Sequence, residues 1–526
     1  MKKITIIFLL ICGLTYSQNL TIESGAYLTI EKTGSATVGG NFSNSGTVIM
    51  NSDADEFSAI KISGTTNGNI TYKRFVNVAS SNEWDLIGSP VDGLSISDFA
   101  NINTSGTATL ATNGPFNQFA YAIGYYDNST DTWTNYTNET VGGAGNFDIG
   151  KGYQMGTVSG GTQILLFTGT ISSSDETQSI INNDAANSGS GRRWNLVANP
   201  YPSYINANDD ADNTNNFLTS NVNKIDSNFL AIYGWNADGF GYTARGHDYN
   251  SNSAVYFAPG QAFMIASDDT SGENIIFAEA MQTVSPTSTD DFISGDLMEN
   301  TEIFLRLYNY DELIEDTHIK FQDNMTIGLD PGYDLGDFYQ GAALTTRLVD
   351  NDQGFNFAHQ QLPVSAMENA VIPLVINQSA GQEFRINLHT ATIPDPNVYL
   401  EDVEEGTFTN LYEGDFVYTP TSDLEGVGRF FIHMTADTMS SGEVSTSMLN
   451  AYKEIDASYI TIEGLATQSN ETKVSLYNIL GREVLATTLN NNMGTQTIST
   501  VGLSAGIYVI ELESGSDRLT KKLLIQ

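Results

Sequence analysis

Apolar residues in this chain come in short alternating or β-branched runs separated by Gly, Asn, Asp and Ser, and in no long stretch with helical spacing. Successive side chains of a strand point to opposite faces, so such runs read as half-buried strands joined by tight turns. The chain is therefore expected to be all-β and multi-domain. Residues 18–80 have the shortest runs: Leu20/Ile22, Leu28/Ile30, Val38, Phe42 and Val48/Ile49 recur every six to ten residues. That rhythm predicts a β-solenoid-like region of a few rungs, which buries little alone and caps a neighbour.

An internal repeat follows. "EWDLIGSPVDG" at 83–93 echoes "RWNLVANPYPS" at 193–203, and "YAIGYYDNSTDTW" at 121–133 echoes "LAIYGWNADGFGY" at 230–242. Trp84 and Trp194, Tyr125 and Trp235, and Phe167 and Phe277 are each 110 residues apart. Three anchors at one offset predict tandem β-modules at 81–180 and 190–288, with Pro90 and Pro200/Pro202 in the turn after each Trp strand. Residues 291–438 open on a hairpin turning near Tyr310 and Asp311 and read as a β-sandwich or jelly roll. Small polar residues make 439–452 the expected linker. Residues 453–526 form a closing cassette of short strands, nearly balanced in charge.

The first seventeen residues alter this picture of soluble modules. Lys2 and Lys3, an apolar run from Ile4 to Leu14 and a small-residue exit predict a signal peptide cut after Ser17, leaving Gln18 first. The run is shorter than the roughly 20 residues of a membrane span, and no other segment reads as transmembrane. The single cysteine, Cys12, lies inside that run behind bulky Ile11, which speaks against lipid attachment. After cleavage no cysteine remains for a disulfide or a thiolate zinc site. A formal charge of −40 argues against nucleic acid and anionic membrane as partners. Charged residues at 16% and aromatics at 10% still describe a folded chain rather than a disordered acidic one.

The closing cassette, "VSLYNILGREVL" followed by "GLSAGIYVIELESGSDRLTKKLLI", resembles the C-terminal sorting domain of type IX secretion substrates of Bacteroidetes. Tyr477, Gly481, Leu503, Gly506, Tyr508, Lys521 and Lys522 match that family's motif in order and spacing. The resemblance implies an Ig-like β-sandwich read by the type IX secretion machinery and removed at the outer membrane. It also implies a secreted or outer-membrane cell-surface protein. Upstream, "WDLIGSP", "WNLVANPYPS" and "GLDPGYDLG" are similar to segments of uncharacterised flavobacterial cell-surface β-proteins, which implies an architecture and no reaction.

Candidate chemistry is sparse. Gly502–Leu503–Ser504–Ala505–Gly506 has the spacing of a hydrolase nucleophile elbow, but a strand follows and no histidine lies beyond it. The five histidines show no metal-ligand spacing. Asp209, Asp210 and Asp212 in one loop, and Asp330 and Asp334 around a turn, are the oxygen-rich clusters best suited to Ca²⁺, the one cofactor suggested. Trp84 and Trp194 read as core. Trp133 and Tyr136, among Asn and Thr, are the candidates for stacking on a sugar ring. The expected function is a non-catalytic adhesion or binding protein, with polysaccharide or surface glycans as partner. The rivals are a carbohydrate-active hydrolase, needing two close carboxylates with one buried, and a structural coat or matrix component.

Overall fold

The computed structural model describes residues 18–525 except 77–83, 105–109, 115–117, 159–161, 185–190, 237–240, 247–253, 288–300, 393–396, 436–448, 454–456, 479–481, 492–493 and positions 467, 469, 505 and 516. It divides into two compact units, residues 1–297 and 298–526.

The first unit starts with a three-sided parallel coil. Leu20–Ile22 pairs with Phe42–Asn44 and that with Thr66–Asn67; Tyr27–Ile30 pairs with Thr47–Asn51 and that with Asn69–Phe75; Ser35–Val38 pairs with Ala59–Ile62. All these pairs are parallel. Each side turns one apolar residue in two inward, so Ile22, Ile30, Val38, Phe42, Met50, Ile62 and Tyr72 stack through the centre. This is the β-solenoid that the six-to-ten-residue rhythm predicts.

The two repeats share one topology. In the first, Asp85–Gly88 pairs with Gly152–Met155, that with Ala120–Asp127, and that with Thr132–Thr137. In the second, Trp194–Ala198, Ala262–Ala266, Ile232–Asn236 and Gly241–Arg245 follow the same order. Both repeats begin one strand earlier than the Trp strand from which their sequence boundaries were drawn. Asn69–Phe75 pairs with Ile164–Thr170, and Glu176–Ile180 pairs with Glu273–Phe277. The last strand of the solenoid thus doubles as the first strand of repeat one, and Glu176–Ile180 belongs with repeat two.

Each repeat also carries a short helix, Ile96–Thr104 and Phe217–Asn221, that clamps the same strand. The amide of Asn103 accepts from the Leu166 N–H and donates to the Leu166 carbonyl, and Asn221 does the same with Ile276, the residue 110 positions on from Leu166, although the helix itself lies 118 positions on. Phe99 and Phe217, one turn earlier, pack on Phe167 and Phe277 at 4.6 and 5.1 Å between ring centres. A buried amide left unbonded costs on the order of 1–3 kcal/mol, so a fully bonded asparagine fixes the helix on its strand.

The repeats meet about a pseudo-two-fold axis. The Gly88 N–H donates to the Gly260 carbonyl and the Ala198 N–H to the Gly150 carbonyl, both at 2.8 Å. Ile87 bridges Gln261 while Lys151 bridges Val197. Adding the repeat offset of 110 turns each member of these pairs into its reciprocal, the mark of an isologous contact. Residues equivalent to each other meet on the axis: a Cβ placed on Gly88 would come within 2.3 Å of Ala198 Cβ, and one on Gly152 within 2.8 Å of Ala262 Cβ.

The second unit holds one eleven-stranded sheet and the closing cassette. The hairpin Glu302–Asn309 with Glu312–Gln322 turns at Tyr310, in the left-handed region at φ 55°. Alternate residues Ile303, Leu305, Leu307, Ile372, Leu374, Val398, Leu400 and Ile432 form one core. The sheet curls on itself around them. Phe416, on Phe416–Tyr418 at one end of the strand order, packs on Phe430 near the other end at 5.7 Å. The cassette is a sandwich of three and four strands closing on Ile460, Ile462, Val474, Leu476, Ile510, Leu512 and Leu523. Its first strand, Asn450–Tyr452, and the buried Leu449 before it lie inside the stretch expected to be linker; the rest of that expectation, 439–448, falls outside the described residues.

Candidate functional site

The strands Ala120–Asp127 and Thr132–Thr137 form a hairpin that sets Trp133 directly opposite Tyr126, with ring centres 5.2 Å apart. Trp133 is 36% exposed. Tyr126 is held beneath it: its hydroxyl lies 2.7 Å from Asp131 Oδ1 and 2.6 Å from the Gly191 carbonyl, and the Gly191 N–H donates back to Asp131. Burial first, then the hydrogen bond to Asp131, pushes the Tyr126 phenol well above its ordinary range, so it stays neutral. Asn128 completes the seat. It donates to the Ile181 carbonyl and to Asn195 Oδ1 and accepts from Asn183. Tyr136 does not join Trp133. Three residues on, it faces the opposite side of the strand, packs on Tyr125 at 5.6 Å and lies against the core. Odd spacing in a strand separates the two, which is why a nearby pair in sequence becomes one exposed ring and one packing ring.

The aspartates suggested for Ca²⁺ are engaged in local structure. Asp209 accepts from Asn216 Nδ2 and Thr219 Oγ1, and Asp212 from the Thr214 and Asn215 N–H groups, around a helix whose N-cap is Asn216. Asp210 is exposed in the same turn. Asp330 accepts from Thr326, while Asp334, buried, accepts from the Asp330 and Gln361 N–H groups. Among the described residues no three His, Cys, Asp or Glu side chains are placed to hold a metal ion.

Two acids of the second unit, Asp337 buried and Glu315 half-buried, carry more chemistry. Burial, and next the charge of Asp337, pushes Glu315 up to about 8, and burial pushes Asp337 up to about 6. Tyr339, 57% exposed, stands beside them, its phenol raised by burial and then by both acids. No sequence spacing links Glu315 to Asp337. The only available signal was an acid among the alternating residues of a long strand.

The sorting-motif residues turn out to build the cassette. Tyr508 packs in its core and donates to the Ser504 carbonyl, Leu503 lies against the same core, and Gly506 opens the strand Gly506–Ser514. Tyr477 is half-buried opposite Val509, where Lys522 pairs from the other side; Gly481 and Ser17 lie outside the described residues, and Gln18 is exposed. Lys521 is buried, its ammonium 3.2 Å from Asn450 Oδ1 and 3.5 Å from the Val349 carbonyl. It lines a cavity of about 390 Å³ together with Glu463, Phe408, Phe431 and the bonded pair Glu401–His433 (2.6 Å). Burial pushes Glu463 up to about 8 and pulls Lys521 down.

The cassette is seated on the curled sheet at Gly428, where a bulge breaks the register of Val427–Thr435 against Val371–Ile376. Gly428 has φ +123°, and a Cβ there would come within 2.4 Å of Glu463 Oε1 and 2.5 Å of the Tyr452 hydroxyl, which donates to the Val427 carbonyl. Gly428→Ala is therefore expected to lower the stability of this unit by about 2–3 kcal/mol, read by denaturant unfolding. An unchanged midpoint would mean that the seat is not formed.

A family model described as Domain of unknown function (DUF8693) matches residues 9–434. A second, described as Secretion system C-terminal sorting domain, matches residues 456–526. No curated protein matches. Among solved structures, the chain is similar to a biofilm associated protein, BSP domain, at 9% identity, covering 87% of this chain and 96% of that one with a TM-score of 0.19. It is also similar to a tetra-tandem repeat in the extending region of a large adhesion protein, at 9% identity, 84% and 98% coverage and a TM-score of 0.11. TM-scores this low leave both likenesses without weight for fold or function.

Proposed function

The chain belongs to the family described as Domain of unknown function (DUF8693) and ends in the sorting domain of a type IX secretion substrate, so it is a secreted or cell-surface protein; from that premise we propose that its exported part is a non-catalytic binding protein for neutral glycans. The observation that carries this reading is Trp133, an exposed ring held rigid on a hairpin by Tyr126, Asp131 and Gly191. A preorganised aromatic face loses little entropy on stacking against a sugar ring, whose C–H face is apolar. Glu315 and Asp337 beside Tyr339 support a second reading, a glycoside hydrolase in which Glu315 holds the proton and Asp337 the charge.

Sedimentation with insoluble cellulose, curdlan and chitin tests both. The full chain is expected to pellet with at least one polymer, and Trp133→Ala to lose about five- to tenfold of that affinity while melting at the same temperature. Release of reducing ends, abolished by Glu315→Gln, would replace the binding reading with the hydrolase. Self-sedimentation without polymer would replace it with a coat component.

A further inference from the structure

The curled sheet carries a mixed apolar and acidic row on the face turned away from its core. On Asn397–Asp402 and Val427–Thr435, Val398, Leu400 and Ile432 point into the core, so Glu401, Phe431 and His433 stand on the other side. Register sets Glu401 directly between Phe431 and Phe408 on the two flanking strands, and its carboxylate lies 2.6 Å from His433. The cassette closes over this row. Its strand Tyr459–Glu463 turns Ile460 and Ile462 into the cassette core and Glu463 outward, opposite Asn450 on the neighbouring strand. Between sheet and cassette lies the cavity of about 390 Å³, with Phe408, Phe431, Val371, Leu449 and Leu519 among its walls. Glu463 is 1% exposed, and neither of its carboxyl oxygens makes a hydrogen bond. The donors beside it are used elsewhere: the Tyr452 hydroxyl donates to the Val427 carbonyl, and the Lys521 ammonium to Asn450 Oδ1 and the Val349 carbonyl. Burial accordingly pushes Glu463 up to about 8 against the pull of Tyr452, Lys521 and Asn450.

We infer that this cavity binds a small organic ammonium ion with an apolar body, Glu463 accepting its N–H groups and Phe408 and Phe431 flanking it. A buried acceptor without a partner is costly, and a charged donor satisfies it best. Acids also outnumber bases around the space: Asp350, Glu401 and Glu463 face Lys521 and His433, and His433 is already held by Glu401. A cation beside phenyl faces gains cation–π attraction as well as charge pairing. The volume is that of a small-molecule site, and the exposed Thr520 in its lining opens it to solvent. The site is independent of Trp133 and of the glycan reading. Because sheet and cassette each supply a wall, an occupied cavity ties one to the other.

Saturation-transfer NMR on the full chain tests the site with benzylamine, benzyl alcohol and benzoate as probes, at about 0.15 M salt to screen the surface acids. Benzylamine is expected to bind with a Kd on the order of 1 mM, and the neutral alcohol and anionic benzoate about tenfold more weakly or less. Glu463→Gln should weaken benzylamine about tenfold. Leu519→Trp fills the cavity from the cassette side, leaves the carboxyl in place and should remove binding, so the test does not hang on the folding of one variant. Thermal melting shows which variants are folded. Benzoate bound in preference to benzylamine would give the site to Lys521 and overturn the inference. Benzylamine bound as tightly by either folded variant as by the parent would overturn it too, placing the amine elsewhere on an acidic protein. No binding by the parent would leave a water-filled seam and end the inference, with the reading of Trp133 untouched.

Discussion

Gly88→Ala should destabilise the first unit by about 3 kcal/mol or more, although it adds a single methyl group. The added Cβ would meet Ala198 Cβ at 2.3 Å and the Lys151 carbonyl at 2.7 Å, and neither is the far end of a flexible side chain. Ala198 is the residue 110 positions on, so the clash occurs between equivalent atoms at the pseudo-axis. That gives the prediction a second arm. Gly88→Ala combined with Ala198→Gly exchanges the two residues across the axis and should recover about half of the loss, the Lys151 contact accounting for the remainder. Thermal unfolding of the parent, both single variants and the double variant reads the coupling directly. Simple additivity would mean that the repeats do not meet at these positions.

The second unit should be most stable near pH 5 and lose stability as the pH rises to 8. Burial raises Asp334 and Glu463 to about 8 from ordinary values of 3.8 and 4.5, and burial together with Asp337 raises Glu315 to about 8 from 4.5. The folded state then holds protons that the unfolded state releases. The stability linked to these groups is therefore complete below the ordinary carboxyl range and is lost through the interval up to about 8. Each fully titrating group contributes up to about 1.4 kcal/mol per pH unit, so a fall in melting temperature on the order of 10 °C between pH 5 and 8 is expected. Glu463→Gln should flatten the slope. Lys521 beside it, pulled down by burial, acts with the opposite sign and is left in place by that substitution, which isolates the carboxyl. A melting temperature that rises with pH over this range would place these acids in their charged form in the folded protein.

The architecture was legible wherever a periodic pattern carried it. The rhythm from Leu20 to Ile49 announces a solenoid because each rung buries the same position. Three aromatic anchors announce the repeats because a duplicated core keeps its largest side chains. The helices leave no periodic signal for a physical reason: they are nine and five residues long, too short for an apolar stripe to repeat. Their signal is instead Phe99 with Asn103 and Phe217 with Asn221, an aromatic and a clamping amide four residues apart. Glu176–Ile180 reads as polar loop because only its last residue is buried. The candidate site is legible only in part. Polar surroundings mark Trp133 in the sequence, but its parity with Tyr126, its separation from Tyr136 and the bonding of Tyr126 to Gly191 are set by register and by contacts across the repeat boundary. Lys521 and Glu463 look like surface charges in a polar cassette, and only the seat at Gly428 encloses them.

The strand Asn69–Phe75 is bonded on one side to the solenoid and on the other, through seven residue pairs, to Ile164–Thr170 of the first repeat. A chain shortened to begin near residue 80 would leave Ile164–Thr170 as a bare edge, open to pairing with another molecule. Hydrogen exchange in this strand is expected to report both neighbours, since alternate N–H groups point to the solenoid and to the first repeat, and similar protection on the two sides would mark one cooperative unit. To part the solenoid from the first repeat, a cut would have to be followed by loss of the seven residue pairs that tie this shared strand to Ile164–Thr170.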